Sequence, residues 1–318
     1  MVEFSIITPV YNGERYIEET IESVLNCLDG FEYEYFVIND GSTDSTSAIL
    51  QKFGSRITPL HQENSGQAET ISRGIRMATG NYASIVNADD PLLSRKLFLE
   101  AKRIMDLDRT IVATYPDWRL IDEVGSTLET IQVKEFSLEE LVGNFNCLIG
   151  PGGVFRTSPA KDLNGWDETF RFVPDYDFWL RLSQYGNFKH IPEVLASWRS
   201  HASSISIGSR GLDMSRERIQ VIENYLTRNP GTPKSLRNKS RAHAYYRAAL
   251  LSYFDKRVSG RQLVIKAIKS RPRILFEKDF RATLFLITSP LSNHILTFVG
   301  KHYQLNGIEN SIRQAVKS

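Results

Sequence analysis

Cysteine is nearly missing from this sequence: Cys27 and Cys147 are its only two. Two thiols make neither a disulfide framework nor a cysteine-based zinc site. They fit a reducing compartment, with both side chains packed as small hydrophobes. A long apolar run is also lacking. The most apolar C-terminal stretch, residues 280–299, is broken by Ser289-Pro290 and Ser292-Asn293-His294, which makes it a poor transmembrane helix. No basic region followed by an apolar core and a small-residue cleavage site opens the chain, so a cytoplasmic protein is expected. P-loop, dinucleotide-fingerprint, HExxH and nucleophile-elbow motifs are absent, leaving kinase, dehydrogenase, zinc-protease and α/β-hydrolase readings without support. No nucleic-acid-binding module is recognised, so no nucleic-acid partner is expected.

What is present has the balance of an ordinary globular protein, with 41% hydrophobic and 24% charged residues, and this composition excludes a disordered chain. The 318 residues are enough for one large domain and a smaller unit. The net charge of +2 conceals an asymmetry: residues 210–318 hold 21 Lys and Arg against 7 Asp and Glu, and the first 209 hold 18 against 30. An acidic front and a basic tail point to two units with different partners.

The front alternates strand and helix. Residues 4–8 (FSIIT), 35–38 (YFVI), 57–60 and 82–86 (YASIV) are short apolar runs, and a further strand is predicted over 111–115. Between them, Tyr16, Ile17, Thr20, Ile21, Val24 and Leu25 recur at helical spacing. Helices are also predicted to about Phe53, from Gln67 to a C-terminal stop at Gly80, and over 94–105. Apolar strands separated by amphipathic helices predict an α/β fold with a mostly parallel sheet covered on both faces. Ligands of such sheets bind at the carboxyl ends of the strands. Polar, turn-prone residues gather there: Thr8 to Asn12, Asn39 to Asp44, Glu63 to Gln67 and Asn87 to Asp90. Helix capping accounts for Thr43 or Asp44, but not for Asp89 and Asp90 side by side before Pro91. Adjacent carboxylates repel and raise one pKa unless a cation compensates. A hard divalent cation, Mn²⁺ or Mg²⁺, does so while sharing its shell with substrate phosphates.

Thr8-Pro9-Val10-Tyr11-Asn12, Asn39-Asp40-Gly41-Ser42-Thr43-Asp44, Glu63-Asn64-Ser65-Gly66, Asn87-Ala88-Asp89-Asp90 and Asp175-Tyr176-Asp177-Phe178-Trp179-Leu180-Arg181 stand in the order and spacing of one family. Over residues 1–207 the chain resembles the family 2 inverting glycosyltransferases, whose Rossmann-like GT-A fold binds nucleotide-diphospho-sugars. The resemblance implies that Thr8, Pro9 and Tyr11 line the base pocket, with Tyr11 against the nucleobase. It implies that Asp40 accepts a hydrogen bond from a base N–H, which favours uracil or thymine because an ionised carboxylate only accepts. Arg73 matches the basic residue that reaches base or phosphates. Asn87 and Asp89 match the ribose-binding motif and Asp89 and Asp90 the metal site, while His201, in a Trp198-Arg199-Ser200-His201 segment that resembles the end of the family's core, reads as a further metal ligand, as a pyrophosphate contact or as a structural histidine. Asn87 departs from the Asp of many relatives, so it brings no charge.

In the following segment, Asp175 resembles the catalytic base that takes the acceptor hydroxyl proton, although Pro174 replaces the usual preceding acid. Asp177 reads as an alternative base or as a capping group on the same predicted helix. Gly152 and Gly153 read as an acceptor-side loop approached closely by ligand or as a plain turn, and Trp166 as a sugar-stacking ring or a core residue.

The expected division is therefore a catalytic domain over 1–207, with a nucleotide-binding half 1–115 and an acceptor half 116–207, followed by a basic helical region 208–318. Helices are predicted over 212–227, 233–254 and 260–270. Residues 271–318 read either as an interfacial amphipathic segment on a membrane surface or as part of a helical bundle. The function implied is inverting transfer from a UDP- or dTDP-sugar to a glycan or lipid-linked glycan acceptor, in the cytoplasm or at the inner face of the plasma membrane. A sugar-nucleotide pyrophosphorylase would carry a glycine-rich Arg- and Lys-containing loop where Pro9-Val10-Tyr11-Asn12-Gly13 stands. A non-catalytic nucleotide-sugar binding module is the other alternative.

Overall fold

β1 (Phe4–Val10) is buried at every position, as a strand with helices on both faces must be. It pairs in parallel with β2 (Tyr33–Asp40) on one side and β4 (Tyr82–Ile85) on the other, and β2 pairs in parallel with β3 (Thr58–Gln62). The order β3-β2-β1-β4 is the expected parallel half. Beyond β4 the sheet changes direction: β7 (Val154–Arg156) runs antiparallel to both β4 and β5 (Ile111–Ile121). β6 (Thr127–Ile131) pairs antiparallel with β5, and β8 (Asn187–Arg199) parallel with it. This is a mixed α/β sheet with mostly parallel strands and flanking helices. The computed structural model describes residues 1–201, 211–255, 260–277 and 280.

Helix α1 (Ile17–Cys27) buries Ile17, Thr20, Ile21, Val24 and Cys27, one stripe at helical spacing. Burial raises the Cys27 thiol to about 11, so it packs as an inert hydrophobe. Helices α2 (Thr46–Gln51), α3 (Gln67–Met77) and α4 (Lys96–Leu107) follow their strands. The predicted stop at Gly80 is corrected: α3 ends at Met77, with Ala78 already extended. Gly80 serves a close approach instead, since a Cβ there would lie 2.8 Å from the Phe4 carbonyl carbon. The strand predicted over 111–115 continues through Pro116 to Ile121. The missing N–H is tolerated because the β5–β8 register shifts at Pro116/Asp117.

The chain divides into two compact units. One comprises Met1–Phe136, Leu148–Thr169 and Asp177–His201 and contains the sheet. The other comprises Ser137–Cys147, Phe170–Tyr176 and the described residues after 201, so two inserted segments join the helical tail rather than falling on the expected side of residue 207. Helix α6 (Pro174–Leu182), preceded by α5 (Thr157–Asp162), gives its first three residues to the second unit and the rest to the first.

In the second unit, α7 (Gly211–Arg228), α8 (Lys234–Asp255) and α9 (Gly260–Ser270) pack as a helical bundle, α8 against both of the others. Ile274, in a 3₁₀ turn over Pro272–Phe276, packs with Phe280 against Ala242, Tyr246, Ala249, Val264 and Ala267. Residues 272–276 and Phe280 thus belong to the bundle. Most of the segment read as membrane-surface lies outside the described residues. No helix among the described residues is long and apolar enough to cross a membrane.

Candidate active site

Parallel strands bring the loops after β1, β2, β3 and β4 to one edge of the sheet. The first two are laced together. Asn12, at φ 51°, donates its amide to Ser42 Oγ at 2.9 Å and accepts the Thr43 amide on Oδ1 at 2.8 Å. Gly13 N donates to Thr46 Oγ1, Glu14 N to Asp44 Oδ2 and Ser45 N to Glu14 Oε2. Gly41 takes φ +76°, and a Cβ there would meet the Asn64 amide nitrogen at 2.8 Å, so only glycine lets the second and third loops approach. This lacing leaves Tyr11 55% exposed at the edge, while Pro9 and Thr8 are buried and Thr8 Oγ1 shares a 3.0 Å hydrogen bond with Tyr35 Oη.

Asp40 ends β2 and is buried. Its Oδ1 accepts from Gln62 Nε2 and the Ser65 amide, both at 2.8 Å, and Oδ2 accepts from the Gly66 amide at 2.9 Å. Burial pushes the Asp40 pKa up, but the hydrogen bonds from Ser65, Gln62 and Gly66 outweigh it and hold the carboxyl below its ordinary value. Gln62 Oε1 in turn accepts from Arg73 Nη1 at 2.7 Å, making a relay Asp40–Gln62–Arg73. Gln62 escapes the sequence reading because the predicted third strand stops at Leu60. Two more residues of β3 place Gln62 at the carboxyl edge, paired with Asp40.

The acidic pair splits into two environments. Asp90 is buried, with Oδ1 accepting the Arg199 amide at 2.8 Å and Oδ2 accepting Asn87 Nδ2 at 2.9 Å. Burial, followed by the neighbouring Asp89 charge, raises its pKa well above the usual carboxylate range. Asp89 is 29% exposed, and its Oδ2 lies 2.7 Å from His201 Nε2. Arg199, 1% exposed, underpins both: Nε donates to the Asp89 carbonyl at 3.0 Å, Nη2 to Glu19 Oε2 at 2.7 Å, and its guanidinium lies 4.6 Å from the Tyr16 ring centroid. The Tyr16 ring also lies 5.3 Å from the His201 ring, and its buried hydroxyl has no hydrogen-bond partner among the described residues. Arg199 and Tyr16 carry no sequence signal for this role, since their partners are remote in the chain.

Among the described residues no three His, Cys, Asp or Glu side chains form a metal-binding group. Asp89 and His201 are the expected ligands that converge, and Asp90 is engaged elsewhere. One carboxylate and one imidazole, with diphosphate oxygens and water completing the shell, fit the chemistry of Mn²⁺ better than that of Mg²⁺, which prefers oxygen ligands alone.

The acceptor-side residues of the first unit are packed. Gly152 (φ +81°) and Gly153 are buried, and Cβ atoms there would meet Ala196 Cβ at 2.8 Å and Ile149 Cγ2 at 2.9 Å. Trp166 exchanges backbone hydrogen bonds with Ser72 Oγ, and its buried Nε1 lacks a partner among the described residues. Asp177 Oδ2 accepts from Arg181 Nε at 2.6 Å, and Arg181 donates to the Leu163 and Gly165 carbonyls, tying α6 to the Trp166 loop. Asp175 stands in the second unit, half-buried near the start of α6. Burial raises its pKa, against the opposing effect of the Tyr176 amide, its own amide and the charge of Arg218.

A family model described as glycosyl transferase family 2 matches residues 5–155. An uncharacterised glycosyltransferase of Rickettsia prowazekii (strain Madrid E) is 30% identical over 210 residues, covering 63% of this chain and 64% of that protein. The chondroitin synthase of Pasteurella multocida (strain Pm70) is 29% identical over 225 residues, covering 69% of this chain and 23% of that protein. The chain thus spans less than two thirds of the length of these relatives. Among solved structures, residues 1–349 of S. aureus TarS in complex with UDP-GlcNAc align with a TM-score of 0.60 and 16% identity, over 88% of this chain and 92% of that one. The mannosyltransferase PcManGT from Pyrobaculum calidifontis, in complex with GDP-Man and Mn²⁺, aligns with a TM-score of 0.54 and 14% identity, over 98% of this chain and 84% of that one.

Proposed function

This chain belongs to glycosyl transferase family 2 through its residues 5–155, and from that premise we propose that it transfers a sugar, with inversion, from a UDP- or dTDP-sugar to a hydroxyl of a glycan or lipid-linked glycan acceptor. The observation that carries this reading is the Asp89–His201 pair, 2.7 Å apart, on the sheet edge that also presents Tyr11, Asp40 and Arg73. The structural neighbours solved with UDP-GlcNAc and with GDP-Man and Mn²⁺ support the nucleotide-sugar donor in this reading, and the second also the cation.

In this proposal Tyr11 stacks on the base. Asp40, held ionised by its hydrogen bonds, takes the base N–H on Oδ2, which carries one amide bond and has room for another acceptor contact. Arg73, fixed by Gln62, faces the phosphates, and Asn87 the ribose. Asp89 and His201 hold the cation, with Asp90 and Arg199 shaping the loop beneath them. A bound Mn²⁺ or Mg²⁺ supplies charge neutralisation for the departing diphosphate. Asp175 removes the acceptor proton as the hydroxyl attacks the sugar C1 from the face opposite the leaving group, which inverts that centre.

The direct test is the unfolding temperature in UDP-, dTDP- and GDP-sugars with and without Mn²⁺. At a concentration about 100 times Kd the true donor adds about 2.7 kcal/mol of stability. The expected result is a shift with a uracil or thymine nucleotide that requires the metal. No shift with any nucleotide would end the reading, and a shift without turnover would leave a binding module.

The proposal extends to the inner face of the plasma membrane through the basic tail. The supporting observation is the excess of Lys and Arg after residue 210. The full chain should float with anionic vesicles and lose that recovery when residues 281–318 are removed. Equal recovery of the two proteins would refute membrane contact through residues 281–318.

A further inference from the structure

Two arginines in the second unit carry charge that the site described above does not use. α7 and α8 run antiparallel: Ser215 Oγ donates to the Ala248 carbonyl at 3.1 Å, and Arg241 forms a double hydrogen bond with Glu223 at 2.8 and 2.7 Å. This register brings Arg218 of α7 against the turn of α8 that bears Arg247. The Nε atoms of both side chains are shielded from water and lack hydrogen-bond partners among the described residues. Burial, and then the charge of Arg247, lower the Arg218 pKa to about 10, and Asp175 offsets only part of this. Arg218 thus lies within the field of a second guanidinium, that of Arg247, and of one carboxylate, that of Asp175.

The surroundings join this pair to Asp175. The Arg218 guanidinium lies 5.4 Å from the Phe145 ring centroid, and that ring lies 4.3 Å from the ring of Tyr176, the residue after Asp175. Glu217, the chain neighbour of Arg218, accepts the Arg171 and Phe172 amides at 2.9 and 2.6 Å and so fastens to α7 the segment leading into Asp175. An open surface depression lined by Arg171, Phe172, Asp213, Arg216 and Glu217 runs along the same stretch of α7, and Arg218, Arg247 and Asp175 do not line it.

We propose that Arg218 and Arg247 bind a phosphate group carried by the acceptor, whose hydroxyl is thereby presented to Asp175. The inference rests on the reading of Asp175 as the base. A carboxylate is satisfied by a single guanidinium fork. A phosphate has oxygens enough for two forks, and its negative charge relieves the repulsion between them. The phosphate belongs either to a soluble polyol phosphate or to a lipid headgroup, and both present the same oxyanion.

The test uses the full chain and two ligand arms: sn-glycerol 3-phosphate, and phosphatidylcholine vesicles with and without phosphatidic acid. Thermal unfolding reads the first and flotation the second. At least one arm should respond in the wild type. Arg218→Met and Arg247→Met should each raise the concentration for half-maximal response about tenfold or more, as expected for the loss of a charge-assisted hydrogen bond. Without ligand, both variants should unfold at or above the wild-type temperature, because each removes one of two repelling cations. A response that survives in both variants, no response in either arm, or a loss of ligand-free stability in both variants overturns the inference. The Mn²⁺-dependent nucleotide-sugar shift is read on the same samples. Failure of the phosphate arms with that shift intact overturns this inference alone, whereas a missing donor shift in the wild type overturns the transferase reading.

Discussion

Asp175→Asn should lower the rate of sugar transfer by about 10²–10⁴-fold, the usual contribution of a positioned general base, while leaving the donor-induced shift in unfolding temperature unchanged. The substitution keeps shape and one acceptor oxygen, so the segment before α6 and the start of the helix should hold. What disappears is the ability to take a proton. The pH profile carries the second half of the prediction. Burial raises the Asp175 pKa and Arg218 only partly opposes it, so the working, ionised base is lost as pH falls through a value above the ordinary aspartate range. The acid limb of kcat should sit correspondingly high in the wild type and vanish in the variant's residual activity. The same shift fixes the sign for stability. A carboxyl whose folded pKa is raised stabilises the fold below its unfolded pKa, and that contribution is lost as pH rises through the folded value. Asp175→Asn should therefore be no less stable than the wild type at neutral pH. A folded variant that keeps the wild-type rate would remove Asp175 from the base role, and one that has unfolded would overturn the stability prediction.

The parts of this molecule that could be read in advance are those whose cause is local. β1, β2 and β4 announce themselves because strands buried on both faces are short apolar runs closed by turn residues, and α1 because one stripe of it meets the sheet. β7 has three residues, too few for a pattern, and exists through its partners Ala83 and Ala113. β8 lacks clean alternation and contains Pro192, so only its long pairing with β5 defines it. The site follows the same rule. Asp89 and Asp90 stand out as neighbours, yet what separates their roles is Arg199, whose amide reaches Asp90 from 109 positions away. The Asp40–Gln62–Arg73 relay joins the ends of two strands and a helix, and no spacing within the chain encodes it. The grouping of residues 137–147 and 170–176 with the helical tail is likewise a product of long-range packing.

That separation of the acidic pair leads to the other large effect. Asp89→Asn should abolish the Mn²⁺-dependent part of donor binding and lower turnover by on the order of 10²–10³-fold, the scale of several kcal/mol that a metal contributes to a charged leaving group. His201→Ala should cost less, because water can replace an imidazole in the shell of a hard cation, and excess Mn²⁺ should restore part of its activity. Asp90→Asn makes the discriminating comparison. Both Asp90 oxygens are already taken by Asn87 and Arg199, and burial together with the Asp89 charge disfavours its ionised form. An amide there keeps the bond from the Arg199 amide, so Mn²⁺ affinity should stay within about tenfold of the wild type, the modest end of the cost for residues that only orient a ligand. Titration of Mn²⁺ into each variant with saturating UDP-sugar, followed through the loss of the free-ion paramagnetic resonance signal, measures all three. Metal binding that survives Asp89→Asn and fails in Asp90→Asn would reverse the assignment. Arg199 would then have to release Asp90 when the donor enters.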